Sequence, residues 1–225
     1  MTELPKCYRC GQPYQDGSCG CKDGICLIHG DCRDVLPGLE KVDLVLTDPP
    51  YGMNYNTNGN RFTKGGRDMH SRSLSRIVGD DEPFDPRPWL AMGDAILWGF
   101  NHFPTHLPAG SALIWLKRTP AAYGQFMSDA EVAWSSIGRG VYAWTDTRHA
   151  IACDRVHPAQ KPIELMTWCI GKSKTTGTIL DPYCGSGTTL RAAKDLGRKA
   201  IGIEIELKYV EIAAERLRQE VLCFD

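Results

Sequence analysis

The first stretch whose residue types could perform chemistry is an apolar run that ends in an acid, two prolines and an aromatic residue. It reads LVLTDPPYGMN over residues 44–54. Pro49 and Pro50 have no backbone donor and cannot continue a β-ladder, so a strand here must end near Asp48 in a stiff corner. A carboxylate and the ring of Tyr51 on such a corner predict a binding site for a flat molecule with a polar edge.

A second expected strand end combines an acid with a glycine-rich turn. The run ILDPYCGSGTTLRAA covers residues 179–193, with Gly185 and Gly187 just before a helix expected to start near Thr188. Glycines allow close backbone approach, and the free amides of a helix N-terminus attract an anion. Seventeen residues after Gly187, another apolar run ends in Glu204, an acid suited to ribose hydroxyls. The pattern predicts a site for a nucleoside that carries an anionic group.

The spacing of this turn disfavours two common nucleotides. The dinucleotide fingerprint requires a third glycine three residues after the second, where this chain has Leu190. No Gly-Lys-Ser/Thr follows the turn, as the phosphate loop of ATP-binding proteins requires. NAD and ATP are therefore poor matches.

Five of the ten cysteines lie within the first 26 residues. Cys7-x-x-Cys10 is followed by turn residues and then by Cys19-x-Cys21. Two close thiol pairs joined by a loop predict one structural zinc, with Cys26 as an alternative to Cys21. The other interpretation is a disordered leader with free thiols. Zinc is favoured because so short a polar segment has no apolar core of its own.

Composition limits the class of protein. The chain has 225 residues, 42% of them hydrophobic, and a net charge of −1, which is ordinary for one globular domain with a small appendage. A nucleic-acid surface would therefore need local clusters of positive charge. The sequence has no run of eighteen apolar residues and no apolar signal segment at its start. We therefore expect no membrane partner and a cytoplasmic protein with reduced thiols.

Short apolar runs alternate with helical patterns along the rest of the chain. Strands are predicted at 24–30, 42–46, 95–100, 112–116, 178–180 and 200–204, with weaker candidates at 131–134 and 140–144. A short helix or turn is predicted at 31–39, and helices at 162–172, 187–196 and 207–221. The alternation predicts a doubly wound α/β fold, in which ligands bind beyond the carboxyl ends of the strands.

Three motifs together resemble those of the S-adenosylmethionine-dependent DNA amino-methyltransferases. They are TDPPYG at 47–52, HPAQKPIEL at 157–165 and DPYCGSGTT at 181–189. The corner precedes the glycine turn, an order similar to that of the circularly permuted β group. The resemblance implies a mixed, mostly parallel sheet of the seven-stranded type with helices on both faces.

The resemblance covers residues 24–225 and leaves a Cys-rich leader at 1–23. It implies a catalytic half at about 24–134, a short target-recognition segment at about 135–156 and a cofactor half at about 157–225.

The resemblance also assigns chemistry to the corner. In the family, the target base leaves the duplex and lies against the aromatic residue, here Tyr51. Asp48 and the carbonyl of Pro49 would then accept the two hydrogens of the exocyclic amine, and Pro50 would stiffen the corner. An acid at the start of this motif favours adenine N6, and a serine would favour cytosine N4. Adenine is therefore the predicted target, with cytosine as the alternative.

The cofactor implied by the resemblance is S-adenosylmethionine. The residues expected at its pocket are Asp31, Lys161, Asp181, Tyr183, Cys184, Gly185, Gly187, Thr188 and Glu204. Thr188 and Lys161 would meet the methionine carboxylate, and Glu204 would hold the ribose hydroxyls.

Duplex DNA is the implied partner, and it requires positive charge. The segment 61–76 has five basic residues against one acid, and its alternative interpretation is a solvated loop. The expected DNA contacts in it are Arg61, Lys64, Arg67, Arg72 and Arg76. Arg139 and Arg148 fall in the expected target-recognition segment. Family members are often homodimers, although the sequence has no apolar stripe that indicates an interface.

Two other functions remain open at this point. A methyltransferase for RNA or for a protein amide has a similar corner, but such relatives usually place the cofactor loop before it. A non-enzymatic zinc protein that binds DNA is the other alternative, against which Asp48, Tyr51 and Gly185 argue.

Overall fold

The structure, a computed structural model, describes residues 4–54, 77–124, 128–146 and 160–219. These residues form an eight-stranded sheet with the order β1-β8-β7-β2-β3-β5-β4-β6. The strands are β1 Ile25–His29, β2 Leu44–Thr47, β3 Asp94–Trp98, β4 Ser111–Leu116, β5 Ala130–Ser135, β6 Val141–Thr145, β7 Ile179–Asp181 and β8 Ala200–Glu204. The α-helices are α1 Cys32–Val35, α2 Arg87–Leu90, α3 Ile163–Ser173, α4 Thr188–Asp195 and α5 Leu207–Arg218.

Seven of the eight strands run in the same direction. Strand β5 alone is antiparallel to its two neighbours, β3 and β4, and every other neighbouring pair is parallel. The predicted mixed, mostly parallel α/β sheet is therefore confirmed. The described sheet has one strand more than the seven expected, because β6 pairs with β4 at the edge.

Side chains that alternate along the strands form two apolar layers. On β2, Leu44 and Leu46 face the layer that α3, α4 and α5 cover, and Val45 faces the opposite layer. The second layer is covered by α1, α2 and part of the N-terminal segment, from which Tyr14 is buried. Both faces of the central strands are thus buried, which explains why these strands are continuous apolar runs.

The N-terminal segment lies along the free edge of β1. Cys7 pairs with Ile28 in an antiparallel bridge, and the Tyr8 amide donates to the Leu27 carbonyl at 2.6 Å. The predicted division at residue 23 stays a prediction, but the structure packs the two parts together.

The predicted strands and long helices agree with the structure to within a few residues at their ends. Helix α2 and the 3-10 turns at Phe100–His102, Pro104–His106 and Pro120–Ala122 were not predicted. They have only three or four residues each, too few for a periodic pattern to emerge. In the part of the chain that the structure describes, no helix combines the length and apolar character needed to cross a membrane.

Candidate active site

The two strand ends singled out in the sequence are neighbours in the sheet. Strands β2 and β7 pair in parallel, with Val45 opposite Leu180. Beyond this pairing, the Thr47 hydroxyl donates to Asp181 Oδ1 at 2.7 Å, and both side chains are buried. The proline corner after β2 and the glycine turn after β7 are therefore held side by side at the carboxyl edge, where parallel α/β sheets bind ligands.

Asp48 lies at the end of β2 and contacts two side chains. The Tyr51 hydroxyl donates to its Oδ1 atom, and the Lys161 ammonium group donates to Oδ2. Lys161 also lies 3.0 Å from Glu131 Oε2, and Glu131 accepts a hydrogen bond of 2.8 Å from Lys117. The corner thus contains a network of two carboxylates, two ammonium groups and one phenol.

The charges in this network are shielded from water. The side chain of Lys161 is 7% exposed and that of Asp48 is 15% exposed. Desolvation alone would favour neutral lysine, but Asp48, Tyr51 and Glu131 together hold the pKa of Lys161 well above its ordinary value. The side chain of Glu131 is 32% exposed, and Lys161 and Lys117 lower its pKa to about 2. Lys161 is therefore a cation and Glu131 an anion at neutral pH.

Burial raises the pKa of acidic groups, and this effect is strong for three groups at the carboxyl edge of the sheet. It raises the pKa of the Asp48 carboxyl, and the charge of Lys161 offsets part of that effect. Burial and the adjacent Asp48 carboxylate raise the pKa of Tyr51 well above its ordinary value, so its hydroxyl stays a donor. Burial likewise raises the pKa of Asp181 to about 6.

The backbone of the corner is fixed by an acid that the sequence reasoning missed. Asp80 Oδ1 accepts the amides of Tyr51, Gly52 and Met53 at 3.0, 3.0 and 3.2 Å, and its side chain is buried. Gly52 has a φ of +76°, and a Cβ there would lie 2.6 Å from the Glu82 carbonyl oxygen. The turn after the two prolines therefore requires glycine and one buried carboxylate.

The Tyr51 ring packs against the turn that follows β3. It stacks on His102 with ring centroids 4.9 Å apart and an angle of 13° between the planes. A Cβ at Gly99, where φ is +74°, would lie 2.1 Å from the ring atom Cε1. The ring position thus depends on the absence of a side chain at Gly99.

The glycine turn is joined to the end of β8. The Gly185 amide donates to Glu204 Oε2 at 2.9 Å, and the Glu206 amide donates to Oε1 at 2.8 Å. Gly187, with a φ of +79°, precedes the first residue of α4, Thr188. Its Cβ would meet that of Ala213 at 2.9 Å, so this glycine also lets α5 pack against the turn.

The remaining predicted cofactor residues lie around the same edge. Cys184 is buried, and Tyr183 is partly buried with its ring edge-on to Trp89. Asp31 lies two residues after the end of β1, where His29 pairs with Glu204. Its carboxylate caps α1 through the Arg33 amide at 2.9 Å and forms an ion pair with the Arg33 side chain. The structure brings these positions together, and their cofactor contacts stay predictions.

The predicted DNA contacts divide into two groups. Arg61, Lys64, Arg67, Arg72, Arg76 and Arg148 lie outside the described residues. Arg139 is exposed in the turn between β5 and β6, and its guanidinium group donates to the Gly138 carbonyl. Because β5 runs antiparallel, its final residue Ser135 pairs with Ser111 at the start of β4. Arg139 is therefore at the opposite edge of the sheet from Asp48, and its contact with DNA stays a prediction.

The antiparallel strand also explains why Glu131 was missed. Its position near the start of β5 puts it at the carboxyl edge of the parallel strands, beside Lys161. In the sequence, Glu131 is one acid in a weak strand pattern without a motif. Asp80 gave no signal either, because it lies 29 residues from the Tyr51 amide that it accepts.

The four cysteines predicted as metal ligands form one cluster. The Sγ atoms of Cys7, Cys10, Cys19 and Cys21 all lie within 4.8 Å of one another. Thiolates in such a group are the ligands that structural zinc prefers.

Comparisons with known proteins show which proteins this chain is similar to. A family model described as a DNA methylase, N6_N4_Mtase, matches residues 114–215. The type II methyltransferase M2.LlaDCHI of Lactococcus lactis subsp. cremoris is 28% identical over an alignment 257 positions long, which covers 92% of this chain and 93% of that protein. The type II methyltransferase M2.DpnII of Streptococcus pneumoniae is 28% identical over an alignment 248 positions long, which covers 88% of this chain and 91% of that protein.

Solved structures share the fold. The M1.HpyAVI–SAM complex has a TM-score of 0.58 and 21% identity, over 85% of this chain and 99% of that one. The PvuII DNA methyltransferase, described as cytosine-N4-specific, has a TM-score of 0.56 and 14% identity, over 89% of this chain and 88% of that one. The near full-length relatives, the family model and the motif order at one sheet edge confirm that this chain is similar to the N6/N4 DNA methyltransferases.

Proposed function

We propose that this protein transfers a methyl group from S-adenosylmethionine to the N6 amine of an adenine swung out of duplex DNA. The observation that carries the proposal is the hydrogen bond between Thr47 and Asp181, which fixes the Asp48 corner beside the glycine turn. An amine bound at the corner and a methyl donor bound at the turn would then be neighbours. Holding two reactants in this way supplies much of a displacement's rate enhancement.

The residues of the turn fit the proposed methyl donor. Glu204 is an 8% exposed carboxylate at the end of β8, a suitable acceptor for the hydroxyls of a ribose. Gly185 and Gly187 have φ values of +50° and +79°, so the backbone of the turn is open to close approach by a ligand. S-adenosylmethionine, when bound, supplies an electrophilic methyl group on a sulfonium.

Asp48 and Pro49 would act on the amine of the base. The nitrogen lone pair of adenine is delocalised into the ring, which makes the amine a weak nucleophile. Acceptance of one hydrogen by the Asp48 carboxylate and the other by the Pro49 carbonyl would favour a tetrahedral nitrogen with a localised lone pair. Asp48 does not need to be a strong base beforehand, because the proton leaves once the nitrogen has become cationic.

Lys161 would keep Asp48 in the ionised form that accepts the hydrogen of the amine. A buried acid tends to become neutral, and a neutral carboxyl group has less capacity to accept a hydrogen bond. The adjacent ammonium group favours the carboxylate form of Asp48. This contact differs from the methionine-carboxylate contact expected for Lys161, and the two roles are separable by measurement.

Tyr51 would stack on the extruded base. Stacking of a base on an aromatic side chain contributes about 1–3 kcal/mol. Because His102 already lies on one face of the ring, a base would have to use the other face. The hydrogen bond from the Tyr51 hydroxyl to Asp48 would align the ring with the acceptor of the amine.

The choice of adenine rests on the acid at position 48, which in this family favours adenine over cytosine. The relatives M2.LlaDCHI and M2.DpnII are type II methyltransferases, so we also propose a role in DNA modification within a restriction–modification system.

The test is transfer of labelled methyl groups from S-adenosylmethionine to duplex DNA or RNA, followed by nucleoside analysis. We expect N6-methyladenine in DNA. N4-methylcytosine would overturn the choice of base, and label in RNA alone would overturn the proposed substrate.

The role of Asp48 has a matched test. Asp48→Ala should abolish transfer while cofactor affinity changes little, and Glu215→Ala, which alters an exposed acid of α5, should leave both unchanged. Loss of cofactor binding in Asp48→Ala would contradict the division between corner and turn.

A further inference from the structure

The N-terminal cysteine cluster has the dimensions of a tetrahedral metal site. Zinc–sulfur bonds of about 2.3 Å place two ligand sulfurs of a tetrahedron about 3.8 Å apart. The Sγ atoms of Cys7 and Cys21 are 3.8 Å apart, and all four sulfurs lie within 4.8 Å of one another. A disulfide would bring two sulfurs to about 2.05 Å, and the described cysteines are all free.

The backbone around the cluster is folded to present the four sulfurs. The Cys7 amide donates to the Gln12 carbonyl at 2.9 Å, and the Gly11 amide donates to the Cys7 carbonyl at 2.8 Å. These bonds form the tight turn of the first pair, and Gly11 has a φ of +71°. A Cβ at Gly20 would lie 3.1 Å from the Gln12 side chain. The small residue between Cys19 and Cys21 therefore lets the second pair approach the first.

We propose that Cys7, Cys10, Cys19 and Cys21 bind one zinc ion as thiolates, and that this zinc holds residues 4–23 on the free edge of β1. Cys26 is then a neighbouring thiol that does not bind the metal. Of the two cysteines that the sequence left open, Cys21 is then the fourth metal ligand.

The position of Cys26 supports its exclusion. Cys26 belongs to β1, is 2% exposed, and its side chain contacts Cys7 and Cys19 from the side of the sheet. The four outer cysteines already complete a tetrahedral set, which is the usual closed form of a structural zinc site. Cys26 therefore packs between the cluster and the apolar layer on that face of the sheet.

The segment needs the metal because it buries little apolar surface. Within residues 4–23, Cys7 and Tyr14 are its buried hydrophobic side chains. Its other attachments are polar: Arg9 donates to the Ile25 carbonyl at 2.8 Å and pairs with Asp23, and Lys194 lies 3.6 Å from Asp23. In so small a unit, metal binding supplies most of the folding free energy. Removal of zinc should therefore release the segment and expose the edge of β1.

The experiment starts from the intact protein purified without added metal. We expect one zinc per chain by elemental analysis. Replacement by cobalt(II) should give the visible absorption bands of a tetrahedral thiolate complex. A protein without zinc that takes up neither zinc nor cobalt(II) overturns the proposal.

Variants test the ligand set. Cys10→Ser should lose the metal, and Cys26→Ala, changed at a thiol of the same region, should retain one zinc per chain. If Cys26→Ala loses zinc as completely as Cys10→Ser and retains the circular dichroism of an α/β fold, the exclusion of Cys26 is wrong.

Limited trypsin digestion tests the role of the metal. The Arg9 side chain is 15% exposed and hydrogen-bonded in the structure, so cleavage after Arg9 should be slow while zinc holds the segment in place. Removal of zinc with a mercurial reagent and a chelator should accelerate this cleavage, and readdition of zinc after thiol reduction should restore protection. An unchanged cleavage rate overturns the attachment role. None of these measurements depends on methyl transfer, so they stand apart from the proposed function.

Discussion

Substitution of Lys161 by methionine tests the buried charge network most directly. Methionine retains much of the aliphatic volume but removes the cation, which leaves Asp48 and Glu131 facing each other with one partner fewer. Lys161 is 7% exposed and Asp48 is 15% exposed, so water replaces little of the lost interaction. Removal of one member of a buried ion pair costs about 3–5 kcal/mol of unfolding free energy. We expect a loss of about 3 kcal/mol, at the lower end of this range, because Lys117 still forms an ion pair with Glu131.

The matched control is Lys117→Met. Lys117 also forms an ion pair with Glu131, but its side chain is 21% exposed and that of Glu131 is 32% exposed. Partly exposed pairs of this kind contribute about 0–1 kcal/mol. Urea denaturation of both variants at pH 7 gives the comparison. Equal losses in the two variants would refute the conclusion that burial at Lys161 dominates.

The effect should depend on pH in a defined direction. Without Lys161, the pKa of Asp48 in the folded protein rises further above its value in the unfolded chain. The destabilisation is then fully present at neutral pH and decreases as pH falls and Asp48 takes up a proton. We therefore expect Lys161→Met to lose less stability at pH 4 than at pH 7. A loss independent of pH would contradict the assignment to Asp48.

The same variant separates the two roles considered for Lys161. If Lys161 acts through Asp48, methyl transfer slows while S-adenosylmethionine affinity measured by calorimetry stays near that of the wild type. Weaker cofactor binding with an unchanged transfer rate at saturation would instead assign Lys161 to the methionine carboxylate.

Two further predictions concern the backbone near Tyr51 and the buried acid of β7. Gly99→Ala should lower the free energy of unfolding, measured by urea denaturation, by about 2 kcal/mol or more and slow methyl transfer, because its Cβ would clash with the Tyr51 ring. The control is Gly197→Ala, where φ is +63° and the space around the Cβ is open. This control should lower the free energy of unfolding by about 1 kcal/mol and leave methyl transfer unchanged. Burial raises the pKa of Asp181 from its ordinary 3.8 to about 6, so ionisation of Asp181 removes about 2 kcal/mol of stability as pH rises from 4 to 7. Asp181→Asn keeps an acceptor for the Thr47 hydroxyl and should flatten that pH dependence, and an unchanged slope would show that Asp181 is not the titrating group.

The sequence by itself determined the fold class, the two strand ends of the candidate site and the motifs that resemble those of the DNA methyltransferases. Local rules are sufficient for these features: prolines end a strand, glycines open a turn, and apolar runs alternate with helical periodicity. The cysteine spacing likewise predicted a cluster that the structure brings together. Such features depend on a few consecutive residues, so they are readable without knowledge of the tertiary structure.

Tertiary structure alone decided which distant groups complete the corner. Asp80 holds the Tyr51 turn from 29 positions away, and Lys161 reaches Asp48 across 113 positions. Because β5 is antiparallel, Glu131 lies at the carboxyl edge of the parallel strands and Arg139 lies at the opposite edge of the sheet. Strand order and direction arise from packing of the whole sheet, and a side chain's charge environment follows from that packing. No local pattern in the sequence specifies the strand order or the charge environment of a side chain.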